Sequence, residues 1–111
     1  MTPSPTKTIL LVEDEALIAM AERRTLEEYG YRVVHTATGE RAVRIVGEQP
    51  EIDLVLMDVN LGAGIDGTEA AQIILETHDL PIVFLSAHTE PAVVEKTERI
   101  TSYGYVVKNT G

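Results

Sequence analysis

The chain has 111 residues, of which 44% are hydrophobic and 24% charged, the balance of an ordinary globular domain. Nine basic residues against eighteen acidic ones give a formal charge of −9, which excludes a basic surface for gripping a phosphate backbone and argues against direct nucleic-acid binding. There is no cysteine, so disulfides and thiolate metal sites are excluded, and no apolar run approaches the ~20 residues of a membrane span. The length suits one domain with a real core. The lack of cysteine fits a cytoplasmic protein, and Met1 to Lys7, with two prolines and no apolar core, is expected to form a flexible arm and not a signal peptide.

Hydrophobic patterning predicts an alternation of strands and helices. The first strand runs from about Thr8 to Val12. A helix follows from about Ala16 to Tyr29, with Leu17, Met20, Ala21, Arg24 and Glu28 at helical spacing and Gly30 as its stop. The second strand covers Tyr31 to Thr36. Thr38 caps a helix reaching Val46 and Gly47, with Ala42, Val43 and Val46 facing inward. Pro50 and Asp53 bracket the turn into a third strand, Leu54 to Met57. A loop containing Gly62, Gly64 and Gly67 leads to a helix from about Thr68 to Thr77. The fourth strand is Ile82 to Leu85, a helix starts near Pro91 and runs to about Ile100, and Gly104 to Val107 forms a short fifth strand.

Alternating elements with continuously apolar strands imply a parallel sheet covered on both faces, an α/β fold. Five strands come with four helices, so the last strand lacks a closing helix, and the chain is expected to be a piece of a longer protein. Polar groups follow the apolar strands directly: Glu13 and Asp14 after the first, Asp58 after the third, Ser86 after the fourth and Lys108 after the fifth. In an open α/β sheet these all meet at the carboxyl rim, where ligands bind. Carboxylates gathered there repel one another unless a hard cation or a base joins them, and Mg²⁺ prefers such oxygen ligands. Lys108 supplies a compact positive charge and Ser86 a hydroxyl donor. Phosphoryl transfer needs this kind of positioning and charge stabilisation, and a carboxylate can serve as the acceptor, giving an acyl phosphate.

Taken together, Ile9-Leu10-Leu11-Val12-Glu13-Asp14-Glu15, Leu56-Met57-Asp58, Asp66-Gly67, Ser86-Ala87 and Tyr105-Val106-Val107-Lys108 make the chain closely similar to the receiver domain of two-component response regulators. The resemblance spans Lys7 to Lys108. It implies a flavodoxin-like, doubly wound, five-stranded parallel sheet in the order 2-1-3-4-5 over residues 8–111, truncated before the final helix. It also implies that Asp58 takes a phosphoryl group from the phosphohistidine of a histidine kinase or phosphotransfer domain. Asp14 would bind Mg²⁺ directly, Glu13 mostly through water, and the backbone carbonyl of Asn60 would be a further ligand. Lys108 would pair with the phosphoryl oxygens. Ser86 and Tyr105 would move inward as a coupled switch, Ala87 would leave the pocket open, and Asn60 and His88 would tune the lifetime of the aspartyl phosphate. The output module stays unnamed and homodimer formation stays open.

The chain departs from the family pattern in three places. Gly62 stands where the loop after the phosphoacceptor carries a proline, and Asp66-Gly67 arrives one residue late, so a longer and more mobile loop is expected. Asn109 follows Lys108 where a cis-proline is usual, and a cis bond without proline costs about 3–4 kcal/mol, so a trans peptide is expected. The final helix is missing. The residues also admit two other readings. The receiver segment of a hybrid sensor histidine kinase shares the same chemistry. A dinucleotide-binding domain is suggested by Gly62-Ala63-Gly64-Ile65-Asp66-Gly67, although that fingerprint should begin at the strand's end and four residues separate it from Met57. The stretch from Asp58 to Glu69 also mimics a calcium loop, with Ala63 in place of the required glycine and a strand where a helix should precede it. His35, His78 and His88 share no ligand spacing and are expected on the surface or in loops.

Overall fold

The computed structural model describes residues 6–62 and 64–85, together with the backbone of 86 and 105–107. The expectations for Ala87, His88, the helix at 91–100, Lys108 and Asn109, and for the Ser86 and Tyr105 side chains, lie outside the described residues. In chain order the elements are β1 (Thr8–Val12), α1 (Ala16–Glu28), β2 (Arg32–Thr36), α2 (Gly39–Glu48), β3 (Ile52–Asp58), α3 (Gly67–Thr77), β4 (Ile82–Ser86) and β5 (Tyr105–Val107). The strands pair in parallel in the order β2-β1-β3-β4, with the backbone of β5 beside β4. This is the flavodoxin-like parallel sheet that the alternation of elements predicts.

All five residues of β1 are buried, as a central parallel strand covered on both faces requires. Its side chains alternate between two cores. Leu10 and Val12 join Val55, Met57, Ile82 and Phe84 under Ala42 and Val46 of α2 and Ala70, Ala71 and Ile74 of α3. Leu11 points the other way, to Val33, Leu85 and Ala19 of α1, with Leu26 and Leu56 packed alongside.

The helix starts follow from local chemistry. The Thr38 hydroxyl accepts the Arg41 N–H at 3.2 Å to cap α2, and the Asp66 carboxylate accepts the Glu69 N–H at 2.8 Å to cap α3. Gly30, at φ +95°, follows α1 and turns the chain into β2.

The structure settles the face of α1, which spacing alone left open, and corrects the start of the third strand. Leu17 and Met20 mark the solvent face of α1, being 82% and 68% exposed, and Ala21, Arg24 and Glu28 are exposed with them. The docking face is Ile18, Ala19, Glu22 and Leu26, and the small Ala19 lets the helix come close to β1. Secondly, β3 begins at Ile52, so Asp53 lies inside the strand and not in the turn before it. The register jumps there, with Thr8 opposite Ile52 and Ile9 opposite Leu54, leaving Asp53 as the extra residue of a bulge. The Asp53 carboxylate accepts the Thr8 N–H at 2.8 Å, which pins the entry of β1. Beside it, an apolar groove of about 430 Å³ runs between Leu26, Ile9, Leu54 and Leu56.

The assignment of the α1 face is tested by a pair of substitutions. Leu10→Ala, at a fully buried position, is expected to cost about 2–5 kcal/mol in urea unfolding, whereas Leu17→Ala is expected to stay within about 0.5 kcal/mol of wild type. A large loss for Leu17→Ala would place that residue in the core instead.

Candidate metal centre at the sheet rim

The chain leaves β1 for α1 on one side and places β3 on the other, so the β1–β3 boundary is the point where the strand order reverses. Clefts form at that point in open α/β sheets. Glu13 and Asp14 leave the end of β1, and Asp58 is the last residue of β3. One carboxylate oxygen from each lies within 4.8 Å of the other two. Glu13 is fully buried, Asp58 is 3% exposed, and Asp14 is exposed at the mouth.

The backbone at Glu13 and just past Asp58 is tied to neighbouring strands, and a local turn holds the Asp58 carboxylate. The Glu13 N–H donates to the Thr36 carbonyl at 3.0 Å, extending the β1–β2 ladder one residue past Val12. The Glu13 carbonyl accepts the His35 Nε2–H at 2.8 Å, in the tautomer that protonates Nε2. The Glu15 N–H approaches Glu13 Oε2 at 3.4 Å. On β3, the Val59 N–H donates to the Leu85 carbonyl at 3.0 Å, and the Asn60 N–H donates to Asp58 Oδ1 at 3.1 Å. This last bond turns the chain sharply after the strand and orients the carboxylate towards the rim.

The glycines of the following loop serve the same centre. A side chain at Gly67 would strike the carbonyl oxygen of Asp58, and the Gly67 N–H donates to the Val59 carbonyl at 3.0 Å. Asp66-Gly67 therefore has a double role: the aspartate caps α3, and the glycine lets that helix start directly against the backbone of Asp58. Gly62 adopts φ +61°, and a Cβ there would come 3.0 Å from Asp14 Oδ2. Gly64 lies against the Glu40 carboxylate. A loop flanked by these two carboxylates is a poor seat for a pyrophosphate, which weighs against the dinucleotide reading.

The donor set is three carboxylate oxygens with no sulfur or imidazole nitrogen among them, which suits a hard cation such as Mg²⁺ or Ca²⁺. Glu13, Asp14 and Asp58 are thus brought together as the sequence implies, and Asn60 follows in the same turn. Ser86 and Tyr105 sit on adjacent strands by backbone pairing: Asp58 pairs with Leu85, one residue before Ser86, and Tyr105 pairs with Phe84. Sequence reasoning missed the bond that His35 makes to the Glu13 carbonyl. It is exposed on β2, as expected of a surface residue, but its register opposite Leu11 puts it beside the Glu13 turn, a role its spacing did not suggest. Neighbouring strand ends were the signal available for it.

The close approach at Gly67 gives a direct check. Gly67→Ala is expected to push α3 away from Asp58, lowering both urea stability and divalent-cation affinity in calorimetry. The destabilisation should be about 1–3 kcal/mol, the range for overpacking. A variant that binds Mg²⁺ like wild type would show that the helix start does not set the carboxylate's place.

Residues 9–111 match the family model described as the response regulator receiver domain. The chain is 37% identical over 83 residues to the phyllosphere-induced regulator PhyR of Methylorubrum extorquens, covering 74% of this chain and 31% of that protein. It is 38% identical over 103 residues to the transcriptional regulatory protein PdtaR of Mycobacterium tuberculosis, covering 92% of this chain and 49% of that protein. The chain therefore spans about a third to a half of the length of these curated relatives. Among solved structures it is similar to the N-terminal domain of a response regulator/sensory box/GGDEF 3-domain protein from Carboxydothermus hydrogenoformans. That match has a TM-score of 0.85 and 48% identity over 95% of this chain and 84% of that one. By sequence and by fold, the chain belongs to the response regulator receiver domain family.

Proposed function

We propose that this domain is a phosphoacceptor switch in which Asp58 takes a phosphoryl group from the phosphohistidine of a histidine kinase or phosphotransfer domain. The observation that carries the reading is the meeting of Glu13, Asp14 and Asp58 within 4.8 Å at the strand-order reversal, with Asp58 almost wholly buried. A carboxylate oxygen of Asp58 attacks phosphorus, the P–N bond of the donor breaks, and its electron pair returns to the donor imidazole. The bond from the Asn60 N–H holds the Asp58 carboxylate in one orientation through this step. Burial keeps water from competing with the incoming group.

Mg²⁺ bound at this centre would offset the repulsion between the carboxylates and the phosphoryl oxygens. Glu13, Asp14 and Asp58 would hold it, with the backbone carbonyl of Asn60 as a further ligand. Lys108 would pair with the phosphoryl oxygens, and Ser86 and Tyr105 would form the switch. His88, with the Asn60 side chain, would set the lifetime of the acyl phosphate. These roles come from family membership and the positions of the residues in the sequence. The complete sheet we propose has five strands in the order 2-1-3-4-5.

The domain would act as a signalling module, passing the change to an output region or partner protein. A cytoplasmic setting suits a kinase donor, and among the described residues no helix is long and apolar enough to cross a membrane.

Intact mass after incubation with acetyl phosphate tests the reading. The wild type is expected to gain one base-labile phosphoryl group only when Mg²⁺ is present, and Asp58→Ala to gain none. Equal labelling of Asp58→Ala would move the acceptor elsewhere. No labelling of the wild type under any condition would remove the phosphoacceptor role.

A further inference from the structure

The loop between Asp58 and α3 is fixed at both ends by its own neighbours. At its start the Asn60 N–H bonds to Asp58 Oδ1 and the Leu61 side chain is buried. At its end Asp66 caps α3 and accepts the Thr68 hydroxyl at 2.6 Å. Its middle is fixed from a distant part of the chain. Glu40, in the first turn of α2, accepts the Ile65 N–H on Oε2 at 3.0 Å, across 25 residues of sequence.

The backbone on either side fits closely around that bond. Gly64, at φ +85°, a conformation that favours glycine, lies directly against the Glu40 carboxylate. A Cβ at Gly39 would come 2.8 Å from Ile65 Cγ1, so the start of α2 and the loop are in direct contact. Two residues before Gly64, Gly62 lies against Asp14 Oδ2. One short stretch of loop is therefore gripped by α2 on one side and rests on an acidic residue of the metal centre on the other.

We propose that Glu40 is a positioning residue for the acidic site, holding this loop so that its Asn60–Gly62 segment closes over Asp14. The inference rests on the reading of Glu13, Asp14 and Asp58 as a metal centre. The extra loop residue gives the clamp a physical purpose, because a longer glycine-containing loop has more backbone freedom to lose on ordering. A carboxylate accepting a backbone N–H forms a charge-assisted bond, and the N-terminus of α2 favours the negative charge that makes it.

The experiment compares wild type, Glu40→Ala and Glu40→Gln by amide hydrogen exchange across the loop and by Mg²⁺ calorimetry. Urea unfolding checks that α2 stays folded. Glu40→Ala is expected to speed exchange at Ile65 by about tenfold or more, the equivalent of one lost bond to a charged group. It should also weaken Mg²⁺ binding by about tenfold, as loss of an outer support for metal ligands does. Glu40→Gln keeps an acceptor oxygen in place and should recover most of both effects. Unchanged exchange in Glu40→Ala would overturn the proposal, as would faster exchange with wild-type Mg²⁺ affinity. A Glu40→Gln protein behaving like Glu40→Ala would overturn it too, since charge at the α2 terminus would then be the whole effect. Failure of the wild type to bind Mg²⁺ would instead defeat the reading of the metal centre, and exchange at Ile65 would still decide whether Glu40 holds the loop.

Discussion

Three carboxylates share one small volume at the end of the sheet, and their mutual repulsion is the constraint around which the rest is arranged. Two like charges 4 Å apart repel by about 4 kcal/mol at the effective dielectric of a protein surface, and burial raises that figure. The fold tolerates such a cluster because its two buried members, Glu13 and Asp58, sit on backbone tied to a neighbouring strand or turn. Thr36 and His35 hold the Glu13 turn from β2. Leu85 and Asn60 hold the end of β3. The hydrophobic sheet beneath supplies the rigidity, with Leu10, Leu11, Val55 and Met57 all without solvent exposure. A site assembled from strand ends inherits the stiffness of the core and stores repulsion that a cation or a phosphoryl transfer can alter.

The β3–α3 loop extends the same logic into irregular backbone. Gly67 allows α3 to begin against the Asp58 carbonyl, Gly62 passes beside Asp14, and Gly64 passes beside Glu40. Each glycine answers a specific close approach, so a stretch that spells a dinucleotide fingerprint has an entirely different physical origin. The carboxylates of Asp14 and Glu40 on its flanks weigh against a bound pyrophosphate.

Much of this was legible in the sequence, and the failures have identifiable causes. The strands announced themselves because buried parallel strands are continuously apolar, and the carboxylates at their ends followed from topology. The Thr38 cap and the inward face of α2 were equally direct. The face of α1 was not legible, because Ala16 to Ala21 is apolar at every position and periodicity cannot choose among faces there. The choice fell to Ala19, whose small side chain fits against Leu11, while Leu17 and Met20 turn to solvent. Asp53 was read as a turn residue because acidic residues are rare inside strands, and the bulge that accommodates it depends on its pairing with Thr8. Glu40 and His35 act across 25 and 22 residues of sequence, where no local pattern carries the information.

The most direct test of the central claim is the melting temperature of wild type and Asp14→Asn, each measured in chelator and in excess Mg²⁺. Removing one of three crowded charges should raise the melting temperature in chelator. Saturating Mg²⁺ should stabilise the wild type by about 2.7 kcal/mol at a hundredfold excess over its Kd, and the variant by much less, narrowing or reversing the order. If Asp14→Asn instead melts lower in chelator and Mg²⁺ leaves both proteins unchanged, the three carboxylates are not a strained cation site, and the account built on them is wrong.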